Sequence, residues 1–114
     1  MKTQKVEVGN REITVDIADN FLTRSWGLSF RKQGKMLFKF SEPTKARIDM
    51  MLLSKPLWLY FLDENKRVID IQKAEPWTSN PKTWKLYSPD CKYRYLLESF
   101  EELEVKEGDQ IKFS

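Results

Sequence analysis

Two arginines and three aromatic residues are the side chains of this sequence best suited to chemistry with another molecule: Arg24 and Arg31, and Trp77, Trp84 and Tyr87. A guanidinium presents a planar fork of donors that matches a carboxylate or a phosphate. Loop tryptophans and tyrosines offer flat faces on which sugars or bases stack. The set therefore predicts a shallow site for a small anionic or ring-bearing ligand. The competing reading is that the tryptophans pin their own loop to a sheet while the arginines pair with Asp63 or Glu98.

Catalytic constellations are thin. None of the 114 residues is a histidine, which removes the side chain that most often serves as general base and zinc ligand. Cys91 stands alone, so no internal disulfide and no CxxC motif exists, and without a histidine it reads as a passive thiol. The acids Asp63 and Asp70, and Glu98 with Glu101 and Glu102, match no calcium loop or glycosidase signature and read as turn and surface groups. Ser25 and Ser29 lack a nucleophile elbow, and the isolated Gly27 and Gly34 cannot cradle a phosphate. No metal site and no cofactor is expected, and a binding or accessory module is favoured over an enzyme.

The elements that must hold these residues follow from periodicity. Val6 and Val8, then Gly9-Asn10, then Ile13, Val15 and Ile17 form two alternating runs about a turn pair, which predicts an antiparallel hairpin. Asp19-Asn20 followed by Phe21, Leu22, Ser25, Trp26 and Leu28 at helical spacing predicts one short α-helix near residues 20–27. Strands are expected over 35–40, ended by Ser41-Glu42-Pro43, and over the alternating stretch 46–53. A strand buried on both faces is expected over 57–62, leading through a polar turn at 63–66 into 67–71. Residues 76–89 carry three prolines and no periodicity, which makes a long, functionally suspect loop. Strand character resumes over 93–97, a capped helical turn is expected over 99–103, and a last strand over 110–113. Many short strands with little helix predict an all-β sandwich or barrel.

Assembled in order, these segments carry a resemblance. The series Arg24-x-x-Gly27-Leu28-x-x-Arg31, Gly34-x-Met36-Leu37-Phe38-x-Phe40, Met50, Pro56-Leu57, Phe61-Leu62-Asp63, Val68, Tyr95-Leu96-Leu97-Glu98 and Gly108-Asp109 resembles the family called domain of unknown function 192. That resemblance implies a small β-sandwich or barrel-like domain of jelly-roll type with a short helix, and no established activity. Where the family usually reads Phe-Trp-Met-Lys-Asn-Thr before the proline, this chain has Ile48-Asp49-Met50-Met51-Leu52-Leu53, and Trp58 stands where the family has an aspartate. Met51, Leu52 and Trp58 thus replace polar family positions, so a polar site there is altered here, while Arg24, Arg31 and Glu98 remain.

Size, charge and termini bound the rest. One core is expected, and a single domain over 1–114. The 20 basic and 17 acidic residues are interspersed, which leaves a net charge of +3 and no basic tract of the kind that announces nucleic acid. The start, Met1-Lys2-Thr3-Gln4-Lys5, lacks the apolar run of a signal peptide, and no stretch reaches the length of a membrane span. A cytoplasmic monomer without membrane contact is expected. Its partner is expected to be the small anionic ligand, with single-stranded nucleic acid held by Lys82, Lys85, Lys92 and Arg94, or a protein docking on Met50, Met51 and Trp58, as alternatives.

Overall fold

The computed structural model describes residues 3–18, 34–51 and 53–114. Its strands are β1 (Thr3–Val8), β2 (Arg11–Ala18), β3 (Lys35–Thr44), β4 (Leu57–Leu62), β5 (Val68–Ala74) and β6 (Tyr93–Ser99), with one 3-10 turn at Pro81–Thr83. All six belong to one sheet in the order β1-β2-β3-β6-β4-β5. The all-β class is as expected, although the strands make a single sheet and a second sheet is not seen among the described residues. The short helix expected near 20–27 lies outside the described residues. No helix among those described is long and apolar enough to cross a membrane.

The hairpin of β1 and β2 turns at Gly9-Asn10, where Gly9 has φ 63°, a left-handed conformation that glycine adopts without a Cβ penalty. β2 runs parallel to β3, whereas every other pair is antiparallel. β6 lies between β3 and β4, which is why Leu96, Leu97, Glu98 and Ser99 are all buried. The apolar run of β4 reflects burial on both faces: Leu57, Leu59 and Phe61 join one core cluster, and Tyr60 and Leu62 the other.

Residues 108–113 close the first face. Val68 N donates to Asp109 O at 2.8 Å, Ile111 N to Lys66 O at 2.9 Å, and Glu7 and Lys112 exchange both backbone bonds at 2.9 and 3.0 Å. In a flat six-stranded sheet the outer strands β1 and β5 would lie about 24 Å apart, five steps of about 4.8 Å. The three residue steps from Asp109 to Lys112 span at most about 10 Å. The sheet is therefore curled, with the C-terminal strap joining its two edges and Ile111 wholly buried beneath. Val6, Val15, Leu37, Leu97 and Ile111 fill this first core. The opposite face carries Met36, Phe38, Leu59, Phe61, Tyr93 and Leu96, covered by Met50 and the partly buried Trp77 and Tyr87.

Four local expectations change. β3 does not stop before Pro43 but runs on to Thr44, because the register with β6 shifts between Lys39 and Thr44 and an exposed proline fits such an irregularity. The described residues of the 46–53 stretch form no strand: Ile48 makes one bridge to Tyr87, and the Asp49 carboxylate then accepts Met51 N at 3.2 Å and turns the chain. Residues 99–103 form no helical turn, since Ser99 Oγ accepts Glu101 N at 3.1 Å and donates to Glu101 O at 2.7 Å. Residues 110–113 make isolated bridges in place of a strand.

Candidate binding face

Register places Glu98 at the centre of the second face. It pairs with Met36 on β3 and Leu59 on β4, and the same row continues to Asp16 beyond Met36 and Gln72 beyond Leu59. In-register side chains share a face, so this row sets three polar groups among the apolar side chains of the second cluster. Glu98 is 5% exposed, and no ion pair or side-chain hydrogen bond among the described residues involves its carboxyl. Burial pushes it up to about 8, with the Asp49 charge adding to the rise, so at neutral pH it is chiefly a protonated carboxyl that can donate one bond. Gln72 is tied off: its amide donates to Asp70 Oδ2 at 2.6 Å and to Ser88 O at 2.9 Å.

The aromatic residues sit on one internally bonded loop. Trp77 Nε1 donates to Lys85 O and Trp84 Nε1 to Thr78 O, both at 2.8 Å, and the two rings stack with centroids 6.1 Å apart. Thr83 Oγ1 accepts Thr78 N at 2.8 Å and donates to Asn80 O at 2.8 Å, while Asn80 Oδ1 caps Lys82 N at 3.0 Å. Tyr87 is fixed twice, by backbone exchange with Ile48 and by its hydroxyl, which accepts Glu75 N at 3.1 Å. Trp77 and Tyr87 pack against the second core cluster, and Trp84 remains 53% exposed. The loop is thus ordered by its own tryptophans and still presents one indole face outward.

Of the five residues singled out in the sequence, Trp77, Trp84 and Tyr87 are brought together by this loop, whereas Arg24 and Arg31 lie outside the described residues. Met50 is fully buried core, Met51 is 61% exposed, and Trp58 is half-buried with Lys73 Nζ 5.7 Å from its ring centre. Asp63 is a turn residue, accepting Asn65 N at 2.8 Å and Arg67 N at 3.0 Å. Glu101 is an exposed pairing partner of Arg11 at 2.7 Å and Lys35 at 3.5 Å, and the Arg11 hydrogen bond holds its carboxyl below the ordinary value. Cys91 is exposed, and no cluster of three metal-ligating groups occurs among the described residues. The sequence reads Glu98 as a partner for arginines or, with Glu101 and Glu102, as a turn and surface acid; at 5% exposure inside β6, between β3 and β4, it is not a surface group. The signal for more was a single acid following Tyr95-Leu96-Leu97 inside a strand.

Residues 3–113 match the model of a family described as Uncharacterized ACR, DUF192. The chain belongs to the DUF192 family. A UPF0127 protein of Pyrococcus horikoshii is 32% identical over 107 residues, covering 87% of this chain and 86% of that protein. One from Pyrococcus furiosus is 30% identical over 114 residues, 91% of each chain. Among solved structures, a Sinorhizobium meliloti protein proposed as a transcription regulator superposes with a TM-score of 0.82 at 21% identity, covering 97% of this chain and 93% of that one. A protein of unknown function from Novosphingobium aromaticivorans gives 0.76 at 20% identity, covering 97% and 84%. At these identities the likeness is one of fold. Membership in DUF192 agrees with the resemblance carried by the ordered motifs, and it brings no reaction or ligand with it.

Proposed function

We propose that this DUF192 protein is a non-enzymatic binding module that takes a small ring-bearing ligand, anionic at one end, on the 77–87 loop. The observation that carries this reading is the state of Trp84. Its N–H is already spent on Thr78 O and its ring is braced against Trp77, yet half of its surface faces solvent. An aromatic face held in place before the ligand arrives loses little freedom on binding, which favours stacking. Lys82 and Lys85 are exposed on the same loop and supply positive charge for the anionic end. Arg24 and Arg31 belong to the reading on sequence grounds alone.

A small ligand is preferred over single-stranded nucleic acid because the basic residues do not form one track. Arg94 donates to Phe40 O and pairs with Glu64 at 3.6 Å, and with Lys92 it lines a cleft of about 300 Å³ that also holds Asp63 and Glu64. Met51 alone is too small an exposed feature to define a protein-docking surface.

Amide chemical-shift mapping against pools of anionic metabolites, oligosaccharides and oligonucleotides tests the proposal. Saturable shifts centred on 77–87 that vanish in Trp84→Ala, with the rest of the spectrum unchanged, are the expected result. Shifts that survive Trp84→Ala, or no shift from any pool, refute it; shifts confined to oligonucleotides with a steep salt dependence favour a nucleic-acid module in its place.

A further inference from the structure

The pairing of β4 with β6 ends at Leu62 and Tyr95, and beyond that pair the two chains part. The turn residues Asp63, Glu64 and Asn65, which follow β4, and Lys92 and Arg94, at the start of β6, then line a cleft of about 300 Å³. Small-ligand sites begin at about this volume. Two acids and two cations meet there.

The strongest anchors on each side are fixed before any ligand arrives. Asp63 Oδ1 accepts Asn65 N at 2.8 Å and Arg67 N at 3.0 Å, which holds the carboxylate, while Oδ2 makes no hydrogen bond or ion pair among the described residues. Arg94 Nε donates to Phe40 O, and its guanidinium carbon lies 5.5 Å from the Tyr95 ring centre. The outer nitrogens of the fork meet one described group: Nη1 is 3.6 Å from Oε1 of Glu64, beyond hydrogen-bond reach, and the Glu64 side chain is 63% exposed. Such a pair is weak and exchanges readily. Lys92 and the Asn65 side-chain amide have no hydrogen-bond or ion-pair partner among the described residues. Lys66 and Arg67, the other cations of this corner, donate to Phe113 O and Gly108 O of the C-terminal strap. Glu42 and Asp90 do not line the cleft.

This balance selects the ligand's charge. An anion that reaches Arg94 and Lys92 also meets Asp63 and Glu64, and a cation meets the converse. A molecule carrying both charges answers both pairs. We propose that this cleft binds a small zwitterion, an ammonium and a carboxylate on one molecule, as in a free amino acid. The ligand carboxylate takes the Arg94 fork in place of Glu64, with Lys92 beside it. The ammonium donates to Asp63 Oδ2, and the released Glu64 turns to the same charge. The site does not rest on the aromatic-loop reading, since it shares no residue with the 77–87 loop.

The test titrates the whole isotope-labelled protein with L-alanine and γ-aminobutyrate, and with propanoate and n-propylammonium as single-charge controls. The Asn65 side-chain amide and the Arg94 Nε–H resonances are followed together with the backbone amides of 63–65 and 92–94. Saturable shifts of these resonances by at least one zwitterion are expected, with both controls weaker by about tenfold or more. Asp63→Asn keeps Oδ1 as the acceptor for the turn, so its amide spectrum away from 63–67 should match that of the parent. Its affinity should fall on the order of tenfold, and that of Lys92→Gln by about threefold. Failure of both zwitterions to move these resonances overturns the proposal. So does a control that binds as tightly as the zwitterions, or an Asp63→Asn protein that keeps the parent's affinity.

Discussion

The Tyr60 hydroxyl, carried by β4, reaches across the first core and accepts the backbone N–H of Leu103 at 2.7 Å. Both residues are buried, at 1% and 2% exposure, and burial raises the phenol above its ordinary value. The bond fixes the chain that leaves β6 and directs it towards the strap. Tyr60→Phe keeps the ring and strands the Leu103 N–H. The expected cost is about 1–3 kcal/mol, read as a lower urea midpoint at an unchanged slope. An unmoved midpoint would show that the amide finds another acceptor.

The strap is the second point at which the curled sheet is held. Ile111 is fully buried in the first core, and its neighbours Asp109 and Lys112 bond the two edges of the sheet. Ile111→Ala should lose about 2–5 kcal/mol. Hydrogen exchange should quicken first at the amides of Glu7 and Val68, which donate to the strap. Quickening that begins instead in the middle of β6 would mean that the strap does not close the sheet.

What the sequence showed was what alternation and turn chemistry encode locally. The β1–β2 hairpin follows from two period-2 runs about Gly9-Asn10, and β4 from an unbroken apolar run. Alternation says which way side chains face but names no partner. Residues 110–113 therefore read as a strand, although among the described residues they make two single bridges, one to each end of the sheet. The helical turn expected at 99–103 gave way because Leu103 N is taken by a hydroxyl 43 residues away. Trp77 and Trp84 were legible as loop aromatics, but their stacking and their internal hydrogen bonds were not. Glu98 escaped for the same reason as the strap, since only its register between β3 and β4 shows that it is central.

The order of the aromatic loop depends on a small hydroxyl. Thr83 Oγ1 accepts Thr78 N and donates to Asn80 O, so it links both sides of the turn that carries Trp84. Thr83→Ala removes both bonds, and the contact with Thr78 Oγ1 at 3.1 Å, at a partly exposed position. Global stability should fall by no more than about 1 kcal/mol, while the amides of 78–84 lose exchange protection and the Trp84 indole N–H resonance broadens. Unchanged protection over 78–84 would show that the tryptophan stack alone holds the loop.

Glu98 gives the fold a pH dependence with a definite sign. In the unfolded chain its carboxyl releases its proton near 4.5, whereas the folded protein keeps that proton up to about 8. Between those values the folded state binds more protons, so Glu98 lowers stability progressively as pH rises through the window. Below 4.5 both states are protonated and above 8 both are ionised, so the contribution is level outside it. Its slope approaches about 1.4 kcal/mol per pH unit, the equivalent of one proton. Glu98→Gln carries no titrating group and removes this component. Urea unfolding at several pH values from 4 to 9 should show parent and variant close at the acid end, the variant pulling ahead through neutrality, and a constant gap above 8. Parallel curves across the whole range would mean that Glu98 is ionised in the folded protein, paired with a cation from elsewhere in the chain.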